Sequence, residues 1–205
     1  MKSITLAIMA IAGLAGATTA FAGENGWYVF GAAGQTTGNN DQSTLDNALT
    51  SVGAAGFSSS LSKPTVYNLD VGYQVNKNFA IEGGYIGSTN ETYTASGGNL
   101  VGPVSATANI KGWTLAAVGI LPLPNQFSLL GKLGVAGIKD SATVSGPGGS
   151  ASVDGTKTDA TYGLGAEYDF TNAVLVRLDW DSYNVGDSSS SSRGGVWTVG
   201  IGYKF

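Results

Sequence analysis

Residues Gly165–Asp181 read GAEYDFTNAVLVRLDWD, and the fold turns on which way this stretch faces. Its apolar residues are strand formers, yet Glu167, Arg177, Asp179 and Asp181 are threaded among them. In an extended chain, alternate side chains point to opposite faces. Val174, Val176, Leu178 and Trp180 therefore share one face, and Leu175, Arg177, Asp179 and Asp181 share the other. A soluble sheet buries its apolar face, whereas a membrane barrel turns that face to lipid and the polar face to its lumen.

Composition favours the barrel. The chain has 205 residues, with 32 glycines, no cysteine and no histidine. Only 12% of residues are charged, against roughly 25% in soluble domains. So few charges on so many strand formers predict a surface that does not all meet water. Without cysteine there is no disulfide framework or thiolate site, and without histidine the usual general base and most zinc sites are gone.

The first 22 residues, MKSITLAIMAIAGLAGATTAFA, combine a basic Lys2, a short apolar run and a small-x-small end at Ala20–Ala22. This pattern predicts a cleaved secretory signal peptide over 1–22 and a mature domain over 23–205. A membrane anchor is the alternative, but the apolar part is short and rich in Ala and Gly. Loss of Lys2 takes the formal charge from −4 to −5. With no basic patch, nucleic acid is not an expected partner.

Eight strands can be read along the chain: 26–35, 65–75, 79–88, 108–121, 127–139, 160–170, 173–183 and 195–205. Their connections alternate long and short. The short ones are turns built on Asn, Pro and Thr, and the long ones are rich in Gly, Ser and Asn. Short turns on one rim and long loops on the other are the layout of a transmembrane barrel. A sandwich has no reason to sort its loops in this way. The expected fold is all-β, an eight-stranded antiparallel up-and-down transmembrane β-barrel.

The faces agree. Tyr67, Leu69, Val71, Tyr73 and Val75 oppose Asn68, Asp70, Gly72 and Gln74. Phe79, Ile81 and Tyr85 oppose Ala80, Glu82 and Gly84. Trp197, Val199, Ile201, Tyr203 and Phe205 oppose Thr198, Gly200, Gly202 and Lys204. Tyr73, Phe79, Phe127, Tyr168, Phe170, Tyr203 and Phe205 fall beside the short turns. Trp180, Trp197 and Tyr93 fall towards the long loops. Two such aromatic girdles are expected at the two lipid interfaces. A soluble lipocalin-like barrel, the alternative, needs charged outer faces that this sequence lacks.

Four stretches, VGYQVNKNFAIEGGY, GKLGVAGIKDSA, GLGAEYDFTNAVLVRLDWDSYNVGD and the terminal VGIGYKF, together resemble the OmpA-type eight-stranded outer-membrane barrels. The resemblance spans the whole mature chain. It implies a Gram-negative outer-membrane location, short turns in the periplasm, long loops outside the cell and a monomer. No counterpart of the peptidoglycan-binding domain of full-length OmpA is expected, since the eighth strand is the last one read in the sequence. Ile201, Tyr203 and Phe205 resemble the terminal signal read by the barrel-assembly machinery. Glu82, Lys132, Glu167, Arg177 and Asp179 fall on family lumen positions. The resemblance implies a gate in which Arg177 chooses among Glu82, Glu167 and Asp179, with Lys132 as second cation. One family gate lysine is missing, and Ala117 or Val118 stands in its place, which puts gating by partner exchange in doubt.

In the first outer loop, Ser43 is a candidate cap for a short helix carrying Leu45, Leu49 and Val52 on one face. Ser145–Ser150 and Ser188–Ser192 read as flexible spacers. Asp140, Asp154 and Asp159 are too scattered for a calcium loop, and no cofactor is expected. The expected role is structural and surface-interacting, with outer-membrane lipid and lipopolysaccharide around the barrel and an extracellular partner at the loops. A small pore gated by lumen salt bridges is the alternative. An enzyme is not expected, since barrel enzymes usually use histidine with serine or aspartate.

Overall fold

A computed structural model of the chain describes residues 25–37, 42–186 and 191–205. The expected signal peptide lies outside the described residues. Among the described residues, ten strands and one helix follow in the order β1 (Gly26–Thr36), α1 (Gln42–Ser51), β2 (Ser58–Leu61), β3 (Thr65–Asn76), β4 (Phe79–Ser88), β5 (Glu91–Ser96), β6 (Val104–Pro122), β7 (Phe127–Gly146), β8 (Gly149–Asp169), β9 (Val174–Gly186) and β10 (Ser191–Lys204).

Eight of these strands close a ring. β1 pairs with β3, then the order runs β4, β6, β7, β8, β9 and β10, and β10 returns to β1, with every pairing antiparallel. β5 continues the line of β4 along β6, and β2 pairs only with β5 outside the ring. Closure leaves no sheet edge facing lipid, which is what a spanning sheet requires.

The short turns hold themselves together locally. At the β3–β4 turn the Asn78 amide donates to Asn76 Oδ1 at 2.8 Å. At the β8–β9 turn Thr171 Oγ1 accepts from the amides of Ala173 and Val174. Between β6 and β7, Asn125 and Gln126 both take left-handed φ, and the Leu123 amide closes the turn on the Phe127 carbonyl.

The long loops are more structured than their composition predicts. Ser145–Ser150 is not a flexible spacer: β7 and β8 rise as a ribbon to Gly146 and Gly149, bridged by Pro147 and Gly148. Alternating Ser, Thr and Val suits an exposed ladder, and Thr143 and Ser152 share a hydroxyl bond across it. Of Ser188–Ser192, residues 188–190 lie outside the described residues, while Ser191 and Ser192 open β10. The helix of the first loop exists, but Ser43 lies inside its first turn rather than capping it. Leu45 and Leu49 are half-buried and Val52 is exposed. Tyr93 does not join the girdle. It is buried, and its hydroxyl donates to Asp46 Oδ1 at 2.6 Å, tying β5 to the helix.

Candidate functional site

The inward faces of the strands meet in layers. Towards the long loops, Val66, Ile86, Ala136, Ile138, Tyr183 and Val196 form an apolar cluster. Towards the short turns, Tyr28, Ala80, Val118 and Leu130 form another. Between them lie the buried charges Asp70, Glu82, Lys132, Arg177, Asp179 and Asp181. A narrow eight-strand barrel has room for side chains and little else.

Arg177 is the centre of the charged layer and is only 1% exposed. Its Nη1 donates to Glu82 Oε1, its Nη2 reaches Glu82 Oε2 at 3.5 Å, and its Nε donates to Asp179 Oδ2 at 2.8 Å. The Phe30 ring covers the guanidinium, 3.9 Å from ring centroid to Cζ. Tyr28 adds a hydroxyl bond to Glu82 Oε1 at 2.7 Å. Lys132 Nζ stands 3.1 Å from Asp179, 3.6 Å from Glu82 and 3.9 Å from Asp181. A fork of donors between two carboxylates suits a planar guanidinium, and the ammonium serves as a point charge shared among three acceptors.

Glycine makes the space. Asp70 faces Gly84, Asp179 faces Gly165 and Asp181 faces Gly163 as cross-strand partners. A Cβ at each of these glycines would strike the aspartate opposite. These three glycines therefore serve the lumen rather than a turn.

Two small voids flank the ion layer. One of about 30 Å³ touches Asp70, Lys132, Asp181 and Tyr183, and one of about 10 Å³ touches Arg177, Leu130, Leu175 and Lys204. Voids of this size hold about one water each.

The model for the outer membrane protein beta-barrel domain matches residues 5–205. The chain belongs to this family. It is thus an outer-membrane barrel, and its exposed apolar wall is the lipid face. A search of curated protein sequences gives no match. The fold is similar to that of Ail, the attachment invasion locus protein of Yersinia pestis. Identity is 20% over 89% of this chain and 99% of that one, with a TM-score of 0.52. The same protein in complex with the heparin analogue sucrose octasulfate gives 17% identity over 88% and 98%, also at 0.52. Neisserial surface protein A gives 14% over 87% and 97%, again at 0.52.

In this outer-membrane barrel the lumen residues singled out in the sequence fall into two groups. Glu82, Lys132, Arg177 and Asp179 come together. Glu167 does not join them: although it faces Arg177 in the β8–β9 register, its carboxylate takes Lys204 Nζ at 3.0 Å. Lys204 also bonds Asp169 at 2.6 Å, forming a second ionic group at the short-turn end. Val118 is buried opposite Lys132, and Ala117 beside it faces outward.

Asp70, Asp181, Tyr28 and Phe30 belong to the layer but were not among the singled-out residues. Alternation had already put Asp70 and Asp181 on the lumen face. Tyr28 and Phe30 carried no such signal, because β1 is apolar on both faces.

The girdle residues Tyr73, Phe79, Phe127, Phe170 and Trp197 are exposed on the outer wall, with Tyr168 and Trp180 beside them on the same face. Ring pairs Phe127–Tyr168, Tyr168–Phe170 and Trp27–Tyr73 mark the short-turn side. Tyr162–Trp180 and Tyr67–Tyr85 mark the other. Ile201 and Tyr203 face outward on β10. Phe205 follows it, its amide bonded to the Trp27 carbonyl at the seam where the barrel closes.

Proposed function

We propose that this protein is a structural, surface-presenting barrel of the outer membrane, not an enzyme, in which the lumen is a filled core. The observation that carries this reading is the charged layer lying between two apolar clusters, with voids of about 30 and 10 Å³ beside it among the described residues. In this reading residues 1–22 direct export, and Ile201, Tyr203 and Phe205 are read by the barrel-assembly machinery. The short turns lie in the periplasm and the long loops outside the cell. The barrel works as a monomer.

The outer loops are then the working surface. Gln42 bonds the backbone and hydroxyl oxygens of Ser59 at 3.0 and 2.8 Å. Asn99 laces the tip of the first loop to the second through Ala55 and Gly53. These bonds support a shaped crown suited to adhesion or recognition, as a loose linker would not be. Ail, a barrel of the same fold, is by its name an attachment protein, which supports this role for the crown. The test is adhesion of cells displaying the intact chain or one lacking 42–61, with barrel insertion checked in both. Loss of adhesion on deletion supports the reading, and equal adhesion removes the crown from it.

One observation favours a small gated pore instead. Lys132 lies within 4 Å of three carboxylates, so the ion layer has alternative pairings open to it.

A further inference from the structure

The barrel wall rises unevenly at its long-loop end. β6, β7 and β8 are 19, 20 and 21 residues long, while the other ring strands have 10 to 14. Above the ring the tall strands continue, with β5 and β2 beside β6, as a sheet in the order β2-β5-β6-β7-β8. At its β2 edge, Gln42 of α1 bonds the Ser59 carbonyl and hydroxyl. At its β8 edge, the β8–β9 ladder stops at Tyr162 and Ser182, whereas the β7–β8 ladder runs on to Gly146 and Gly149. Among the described residues, no strand pairs with the outer side of β8 from Ser150 to Ala160.

The backbone of this edge points outward at every second residue. The Ala160 N–H donates to Asp159 Oδ1 at 2.7 Å, and the Ala160 carbonyl accepts from Arg193 at 3.4 Å. Ala160 therefore turns both groups away from β7. By the period of two in a strand, Ser150, Ser152, Asp154, Thr156 and Thr158 do the same. Such a row of N–H and C=O groups, about 27 Å long, is a template for one more strand. The edge charges do not stand unpaired against an incoming chain, since Asp154 lies 3.6 Å from Lys139 and Lys157 lies 3.7 Å from Asp159. The two faces of the sheet differ. One carries Thr107, Ser141, Thr143, Ser152 and Thr156. The other carries Ala108, Ala142, Val144, Ala151 and Val153, until Gly155 opposite Asp140 turns it polar. α1 is tied to this second face at Tyr93, and it leaves Val144 51% and Val153 71% exposed.

We propose that the β8 edge from Ser150 to Thr158 binds an extended segment of a partner protein, which adds to the crown as a sixth strand. Main-chain bonds to the outward groups supply affinity, and alternation supplies specificity. Apolar side chains of the segment lie on the side of Ala151 and Val153, beside Val144. Its polar side chains lie on the side of Ser152 and Thr156. A second copy in the same membrane does not fit the edge. A two-fold axis along the membrane normal would turn the copy's hydroxyl face to the side of this chain's apolar face. The inference rests on the adhesive reading of the crown given above and specifies its partner as an extended, alternating peptide.

The test selects a phage-displayed library of random decapeptides on the refolded full chain, with each protein's folding confirmed by the gel-mobility shift. The recovered peptides are expected to alternate apolar and polar residues. Ser152→Pro/Thr156→Pro removes two outward N–H groups and leaves the β7–β8 ladder its bonds. It is expected to bind those peptides roughly tenfold more weakly. Ser152→Ala/Thr156→Ala keeps the N–H groups and is expected to bind as wild type does. Val144→Ser/Val153→Ser leaves the backbone intact and is expected to weaken binding roughly tenfold through the lost apolar floor. The site is overturned by recovery of no peptide, by peptides without alternation, or by undiminished binding in the proline or serine variant. An equal loss in the alanine variant overturns it too. Adhesion of cells displaying the same chains is scored separately. Adhesion lost on deletion of 42–61 but kept in the proline variant retains the adhesive crown and rejects its β8 edge. If cells with the intact chain do not adhere, the adhesive reading fails, and peptide binding still decides the edge.

Discussion

The guanidinium of Arg177 on β9 and the carboxylate of Glu82 on β4, 95 residues apart in sequence, are bonded across the lumen. Both are buried, with apolar clusters above and below them. Removing one partner strands the other charge, which typically costs about 3–5 kcal/mol. Arg177→Ala should therefore lower the urea midpoint of the refolded barrel sharply. Replacing the pair by Arg177→Met with Glu82→Leu should recover most of the loss, because an apolar pair of similar volume needs no desolvation. A double variant no more stable than the single one would show that the pair does more than fill space.

Asp179 occupies the space beside Gly165. Gly165→Leu must push its carboxylate out of line with Arg177 and Lys132. The expected loss is about 2–4 kcal/mol, by overpacking and a broken ion pair together. The same change at Gly131, where a new Cβ meets nothing within 4 Å, should be tolerated. Equal refolding midpoints for the two variants would contradict this packing.

The Phe205 N–H donates to the Trp27 carbonyl at 2.9 Å, extending the β1–β10 ladder that closes the ring. Deletion of Phe205 should reduce the amount of barrel in the outer membrane of cells, while refolding in detergent suffers little. Normal surface levels of the shortened chain would remove the assembly role.

The crown has its own fastening. Burial, and then the bond to Asp46, raise the Tyr93 phenol above its ordinary value. A group raised on folding contributes stability that is complete below its ordinary value and is lost as pH climbs through the raised one. The tether is thus intact at neutral pH and released only in strong base. Tyr93→Phe should loosen it at neutral pH by about 1 kcal/mol, seen as faster protease cleavage within residues 42–61. Unchanged cleavage would mean that Gln42 and Asn99 hold the crown alone.

The ring was legible because lipid imposes a strict period of two: Leu69, Val71 and Tyr73 had to share a face, and Asp70 had to oppose them. Turn chemistry at Asn76–Asn78 and Thr171 then fixed where strands reverse. Above the lipid band that constraint ends. There Ser145–Ser150 read as a spacer although it is a ribbon, since Ser and Gly serve loops and exposed ladders alike. The partner of Glu167 was not legible either. Register puts it opposite Arg177, but Arg177 is already held by Glu82 and Asp179, and Lys204 lies within reach of Glu167 from β10. Which charges pair depends on side-chain reach across the ring, which alternation does not encode.

The central claim is that the lumen is a closed core. Its most direct test is ion conductance of the refolded protein in a planar lipid bilayer, with insertion confirmed by the gel-mobility shift. The account predicts no channel steps from inserted wild-type barrels. Reproducible steps that change in Arg177→Ala would contradict it and make the ion layer a gate.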